Sequence, residues 1–171
     1  GLDCYEYQCG HGVRISEDAA KILGQNAREN NIKLSIHAPY YISLSSTEKE
    51  KRERSIAYII QTLKAAKNMG ADRIVVHSGS CGSISDGNLH DIAHFMKVHG
   101  YAQAIAKAEG LDDIYICPET MGKVKQLGNV SEVIKLCNIS YQLLPAMDFG
   151  HINAQTLGSL KTKADYAEIL D

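Results

Sequence analysis

Five short strand-like runs recur along this chain, each followed by a longer stretch of helical character. That alternation limits the fold more than any other feature. The runs are Cys4–Gln8, Lys33–His37, Arg73–His77, Ile114–Cys117 and Leu143–Met147. Ser16-Glu17-Asp18 offers a capping hydroxyl and first-turn acids for a helix that reaches about Asn30, where Asn30-Asn31 makes a stop. Ser46-Thr47 opens what should be the longest helix. In it Ile56, Ile59, Ile60 and Leu63 fall on one face and Gly70 closes the C-terminus. Further helices are expected from about Leu89 to Glu109, near 130–137, and from about Thr162. Strands separated by helices pair in parallel through right-handed crossovers. An unbroken run such as Arg73-Ile74-Val75-Val76-His77 suits a sheet covered on both faces.

The polar residues able to do chemistry cluster at the C-terminal ends of these strands: His37, His77, Glu119, Asp148 and His151. A (β/α)₈ barrel places its active site there, and a doubly wound sheet also binds ligands there. No phosphate fingerprint supports the second choice. Gly79-Ser80-Cys81-Gly82 lacks the third glycine of a dinucleotide turn, and there is no G-K-[ST]. The expectation is therefore an α/β (β/α)₈ TIM barrel, present as an incomplete portion of about five β/α units. A full barrel takes about 250 residues, against 171 here. Residues 1–171 then form a single partial domain that lacks the barrel's first strand and its C-terminal β/α units, and the missing initiating Met points to residues upstream. Open barrel edges would favour self-association.

Composition narrows the partners. No apolar run of about 18 residues exists, so no membrane span is expected. Gly1-Leu2-Asp3-Cys4 has no signal-peptide character. Eighteen Lys and Arg against twenty Asp and Glu give a net charge of −2, less basic than a protein that grips nucleic acid by phosphate neutralisation alone. Bound metal cations would add positive charge to that count. The five cysteines are odd in number and form no C-x-x-C pair. They read as buried small hydrophobes in a reducing, cytoplasmic compartment.

A single histidine after an apolar strand is more often structural than a ligand, and Asp148-Phe149-Gly150-His151 taken alone could be a turn with an Asx bond. Five such residues at the same end of consecutive strands favour a metal centre. Mixed His, Asp and Glu ligation suits zinc, and also manganese or iron. His90 and His94 share the spacing of a zincin pair, but position 91 is Asp and no third ligand follows. With His99 they read as a solvated helix face, and Asp86-Gly87 as a turn.

Ser35-Ile36-His37-Ala38-Pro39-Tyr40-Tyr41, Val76-His77-Ser78-Gly79, Pro118-Glu119-Thr120-Met121-Gly122-Lys123 and Asp148-Phe149-Gly150-His151 together resemble the endonuclease IV family of apurinic/apyrimidinic endonucleases. That family belongs to the wider superfamily of xylose-isomerase-like barrels. The resemblance implies a zinc-dependent hydrolase of base-excision repair that cleaves the phosphodiester 5′ to an abasic site in duplex DNA. It makes His37 and His77 ligands of one zinc and Glu119 the bridge to a second, which Asp148 also binds. His151 becomes a ligand of a third, and Glu119 and Asp148 carry the catalysis. Tyr40, Tyr41 and Lys123 become DNA contacts, with Lys125 and Arg14 as further phosphate partners. The family's remaining ligands fall downstream of the matched region, and its arginine after the corresponding strand is not obvious at Gln8 to Gly12. Two rivals remain: a sugar isomerase or epimerase on the same barrel using one manganese or magnesium, and a non-catalytic module that binds DNA or a partner.

Overall fold

The computed structural model describes residues 1–79, 87–123, 126 and 128–171, with the side chains of 87–93 not included. Four strands, β1 (Cys4–Gln8), β2 (Lys33–His37), β3 (Arg73–Val76) and β4 (Tyr115–Pro118), pair in chain order into a parallel sheet. Between them run α1 (Glu17–Glu29), α2 (Lys49–Met69) and α3 (Gly87–Lys107). After β4 come α4 (Val130–Cys137), α5 (Phe149–Gln155) and α6 (Lys163–Leu170). This is the partial α/β barrel that the alternation of elements predicts.

Local chemistry sets most of the boundaries. Ser16 accepts from the Ala19 amide at the start of α1, and Asn31 turns the chain out of it with φ 57°. Gly70 ends α2 in the left-handed region, at φ 73°. Asn129 and Glu132 form a reciprocal capping box on α4. α2 begins at Lys49 rather than at Ser46-Thr47. There the Arg52 guanidinium binds the Ser46 and Thr47 carbonyls, which fixes those residues in a turn ahead of the helix.

Two expectations need correction. Leu143–Met147 is not a regular strand. It touches β4 through two isolated parallel bridges, Ile116 with Leu143 and Glu119 with Ala146. The Leu144 and Ala146 amides still donate to Ile116 and Pro118 at 3.1 and 2.9 Å. Pro145 lies between them and has no amide to give on the other side, which suits an edge segment. The sheet is also not apolar on both faces. Leu34, Ile36, Ile74, Val76 and Ile116 point outward and are buried with Ile59, Leu63, Ala66 and Met69 of α2. The opposite face carries Glu6, Ser35, Arg73 and Tyr115, and of these Arg73 and Tyr115 are exposed. Cross-strand register pairs Glu6 with Ser35, Gln8 with His37, His37 with Val75 and Val75 with Cys117.

That register explains the site. Side chains alternate across a strand, so positions two apart share a face. His77 is two residues beyond Val75 and Glu119 two beyond Cys117, which puts both on the face of His37. The ladder continues past the formal strand ends: Cys9 donates to His37, Ala38 to Val75 and Glu119 to Val76, at 2.9, 2.8 and 3.0 Å. The candidate ligands therefore stand on hydrogen-bonded backbone.

Candidate metal centre

Glu119 is buried, and three imidazoles surround its carboxylate. His37 Nε2 lies 3.2 Å and His77 Nε2 2.7 Å from Oε2, while His151 Nδ1 lies 3.3 Å from Oε1. Asp148 Oδ2 is 3.6 Å from His151 Nδ1. Two sets of ligand atoms result, His37 with His77 and Glu119, and Glu119 with Asp148 and His151; within each set all atoms lie within 4.8 Å of one another. Glu119 belongs to both. All five strand-end residues singled out in the sequence thus meet in one place.

The ring orientations suit a cation. His37 Nδ1 is 2.8 Å from the Ala38 carbonyl. A carbonyl can only accept, so Nδ1 carries the proton and a neutral ring turns its Nε2 lone pair toward the Glu119 carboxylate. Two lone-pair donors facing each other need a positive charge between them, either a proton or a metal ion. Metal-bound histidines characteristically donate their other nitrogen to a backbone carbonyl in this manner. His151 differs, because the Nδ1 that lies 2.9 Å from the Thr120 carbonyl is also the nitrogen nearest Glu119 and Asp148. His77 Nε2 is buried and has no aligned hydrogen bond among the described residues, although Glu119 is so close. Ligand atoms around a tetrahedral zinc stand about 3.3 Å apart when the bonds are about 2.0 Å. The separations around Glu119 are of that size.

Burial works to lower the pKa of His37, but the Glu119 oxygen, the Ala38 carbonyl and the charges of Glu119 and Glu6 outweigh it, and the net shift is upward. Burial likewise works to raise Glu119, and the close His37 and His77 imidazoles hold it down at about 2.

The tyrosines divide. The Tyr40 ring lies over both imidazoles, with centroids 5.0 Å from His37 and 5.5 Å from His77. Its hydroxyl donates to Gln8 Oε1 at 3.0 Å, and Gln8 in turn donates to Glu6. Gly10 makes room for the ring, because a Cβ there would sit 2.5 Å from Tyr40 Cε2. Tyr41 turns instead against Tyr58, edge to face at 4.9 Å. Both remain about half exposed, at 53% and 49%. Lys123 and Arg14 are exposed. Lys125 and Cys81 lie outside the described residues, as do Asp86 and the side chain of His90. His99 stacks on Phe95. Cys9 and Cys117 are buried as expected, whereas Cys4 is exposed.

Sequence reasoning missed Thr120, which is fully buried beside Glu119 and bonded to Asp148. The Thr120 contact leaves no trace in spacing. The Asx bond that a turn at Asp148 would make is present, with Oδ1 2.8 Å from the His151 amide, but it caps the helix α5.

The family model described as xylose isomerase-like TIM barrel matches residues 1–169. The chain belongs to that family. An uncharacterized protein of Methanocaldococcus jannaschii is 33% identical over 171 residues, covering 99% of this chain and 60% of its own length. A probable endonuclease 4 of Mycoplasmoides gallisepticum is 34% identical over 86 residues, covering 50% of this chain and 26% of its own. Among solved barrels of the family's fold, a D-tagatose 3-epimerase-like protein superposes with a TM-score of 0.77 at 21% identity, over 92% of this chain and 60% of that one. Endonuclease IV from Thermus thermophilus superposes with a TM-score of 0.76 at 19% identity, over 99% and 60%. The chain thus spans no more than about 60% of the relatives it matches. Among the described residues, no helix is long and apolar enough to cross a membrane.

Proposed function

We propose that the protein carrying this chain is a zinc-dependent, cytoplasmic DNA-repair endonuclease that hydrolyses the phosphodiester 5′ to abasic sites in duplex DNA. The observation that carries this reading is the shared carboxylate: buried Glu119 serves one group with two histidines and another with Asp148 and His151. A carboxylate common to two groups suits ions held a few ångströms apart, the arrangement that clamps a phosphoryl group. The relative named as a probable endonuclease 4 supports the choice of DNA.

Zinc held here would supply Lewis acidity toward phosphoryl oxygens and lower the pKa of a coordinated water. The remaining work falls to the chain. His37 and His77 would hold one ion through Nε2, with the Ala38 carbonyl fixing the tautomer of His37. Glu119 would bridge, already ionised. Asp148 would serve the second ion, and His151, which the resemblance assigns to a third, stands in the same group of ligand atoms. Tyr40 walls the site above the imidazoles and offers a ring face where a base is missing. Tyr41 sits beside it, and Lys123 at the surface can meet a phosphate.

A sugar epimerase shares this fold, and the superposition on the D-tagatose 3-epimerase-like protein favours keeping it in the test. The protein should be offered zinc and a duplex with one abasic site, and in parallel manganese and a ketohexose. The expected result is a nick 5′ to the lesion that disappears in His37→Ala. Epimerisation without nicking, or binding to the duplex without cleavage, would overturn the proposal.

A further inference from the structure

We infer that Thr120 is a positioning residue that sets the geometry of the second ligand group. The inference rests on the reading of the Glu119 cluster as a metal centre. Thr120 is fully buried, between β4 and the segment that leads into α5. Its hydroxyl grips one residue at both ends. Oγ1 accepts from the Asp148 amide at 2.9 Å and donates to the Asp148 carbonyl at 3.3 Å. Its own carbonyl accepts from His151 Nδ1 at 2.9 Å. Its amide donates to Ala146 at 3.0 Å, which ties the same segment to the end of β4.

The consequence is a division of labour in the site. The first group stands on the sheet: His37 ends β2, and the backbone of His77 and Glu119 continues β3 and β4. Asp148 and His151 instead sit at the start of a seven-residue helix after a segment that makes only isolated bridges. Past the bridge of Glu119 with Ala146, no strand pairing among the described residues holds Asp148 and His151 to the end of β4. Thr120 does so, because it follows Glu119 directly and binds both other members. The Thr120 carbonyl steers the His151 ring through Nδ1, the nitrogen that also lies nearest Glu119 and Asp148, and with Oδ1 on the α5 amide Asp148 keeps Oδ2.

Thr120→Val keeps the shape and removes both hydroxyl bonds. Thr120→Ala repeats the loss without the second branch, and Thr120→Ser restores the hydroxyl. Each is made in the parent and in a His37→Ala background, which leaves Glu119, Asp148 and His151 as the intact group. Zinc is titrated against a chromogenic chelator, and unfolding of the zinc-free proteins is followed alongside. Loss of an outer contact of this kind weakens metal affinity roughly 10–100-fold. We expect that loss for the second group in Val and Ala, recovery in Ser, and little change for the group with His37 and His77. Unchanged zinc affinity in Val and Ala, even with lowered thermal stability, would reduce Thr120 to a packing residue and overturn the inference. A Ser variant as weak as Val would do the same. A parent chain that binds no zinc overturns the metal reading itself, an outcome distinct from the other two.

Discussion

Replacing Gly24 by alanine tests the packing behind the site. Gly24 is buried in α1 where that helix crosses the end of α2. A Cβ added there would lie 2.0 Å from the Met69 carbonyl oxygen and 2.8 Å from its carbon. Ordinary van der Waals contact begins at 3.4 Å, so the helices would have to part by more than about 1 Å. The obstacle is backbone in the last turn of α2, and no side chain can swing away. Overpacking of this kind costs about 3 kcal/mol at the upper end of its usual range. The better helix propensity of alanine returns about 1 kcal/mol. The net loss of about 2 kcal/mol should lower Tm by roughly 4–8 °C for a chain of this size. Thermal unfolding by circular dichroism, checked by calorimetry, measures it. A Tm equal to or above the parent's would show that α1 and α2 are not packed as described, and that the layer supporting β2 and His37 is looser than drawn.

Two further outcomes follow from titrating groups. Burial pushes the Cys117 thiol up to about 12 and raises Cys9, while Cys4 is exposed; alkylation of the native chain read by peptide mass spectrometry should label Cys4 and spare Cys9 and Cys117 until denaturant is added. In the zinc-free protein Glu119 is held down from 4.5 to about 2, so its stabilising contribution is complete above 4.5 and drains away as pH falls toward 2. His37 is raised from 6.5 and acts in the opposite sense: its contribution is full below 6.5 and is lost as pH rises through its folded value. Denaturant midpoints across the acid range should therefore fall more steeply in the parent than in Glu119→Gln, and parallel curves would contradict the electrostatic description of the cluster.

The strand ends were legible because a parallel sheet leaves a strong signature. Lys33–His37 and Val130–Cys137 fall where apolar runs and caps put them. His37, His77 and Glu119 converge because each ends a strand, and the shared face follows from a period of two. The rest of the site depends on contacts that do not repeat. The stretch Phe149–Gln155 has seven residues and no apolar period, so Asp148-Phe149-Gly150-His151 reads as a turn until the Asp148 cap is seen. The fifth strand weakens to bridges at an edge where Pro145 has no amide to offer. Thr120 looks like loop punctuation after Glu119, and only the fold brings Asp148, twenty-eight residues on, to its hydroxyl. Tyr40 and Tyr41 are neighbours of the same type, yet one covers the imidazoles and the other packs on Tyr58. Nothing in the dipeptide separates those fates.

The proposed function depends on metal held by His37, His77 and Glu119 together with Asp148 and His151. Zinc content of the purified protein, measured with the absorption spectrum at the zinc edge and repeated on His37→Ala, tests it most directly. Bound zinc with nitrogen and oxygen neighbours at about 2.0–2.1 Å is the expected result, reduced in the variant. Absence of zinc, or sulfur neighbours at about 2.3 Å that would place the ion on cysteines, would contradict it.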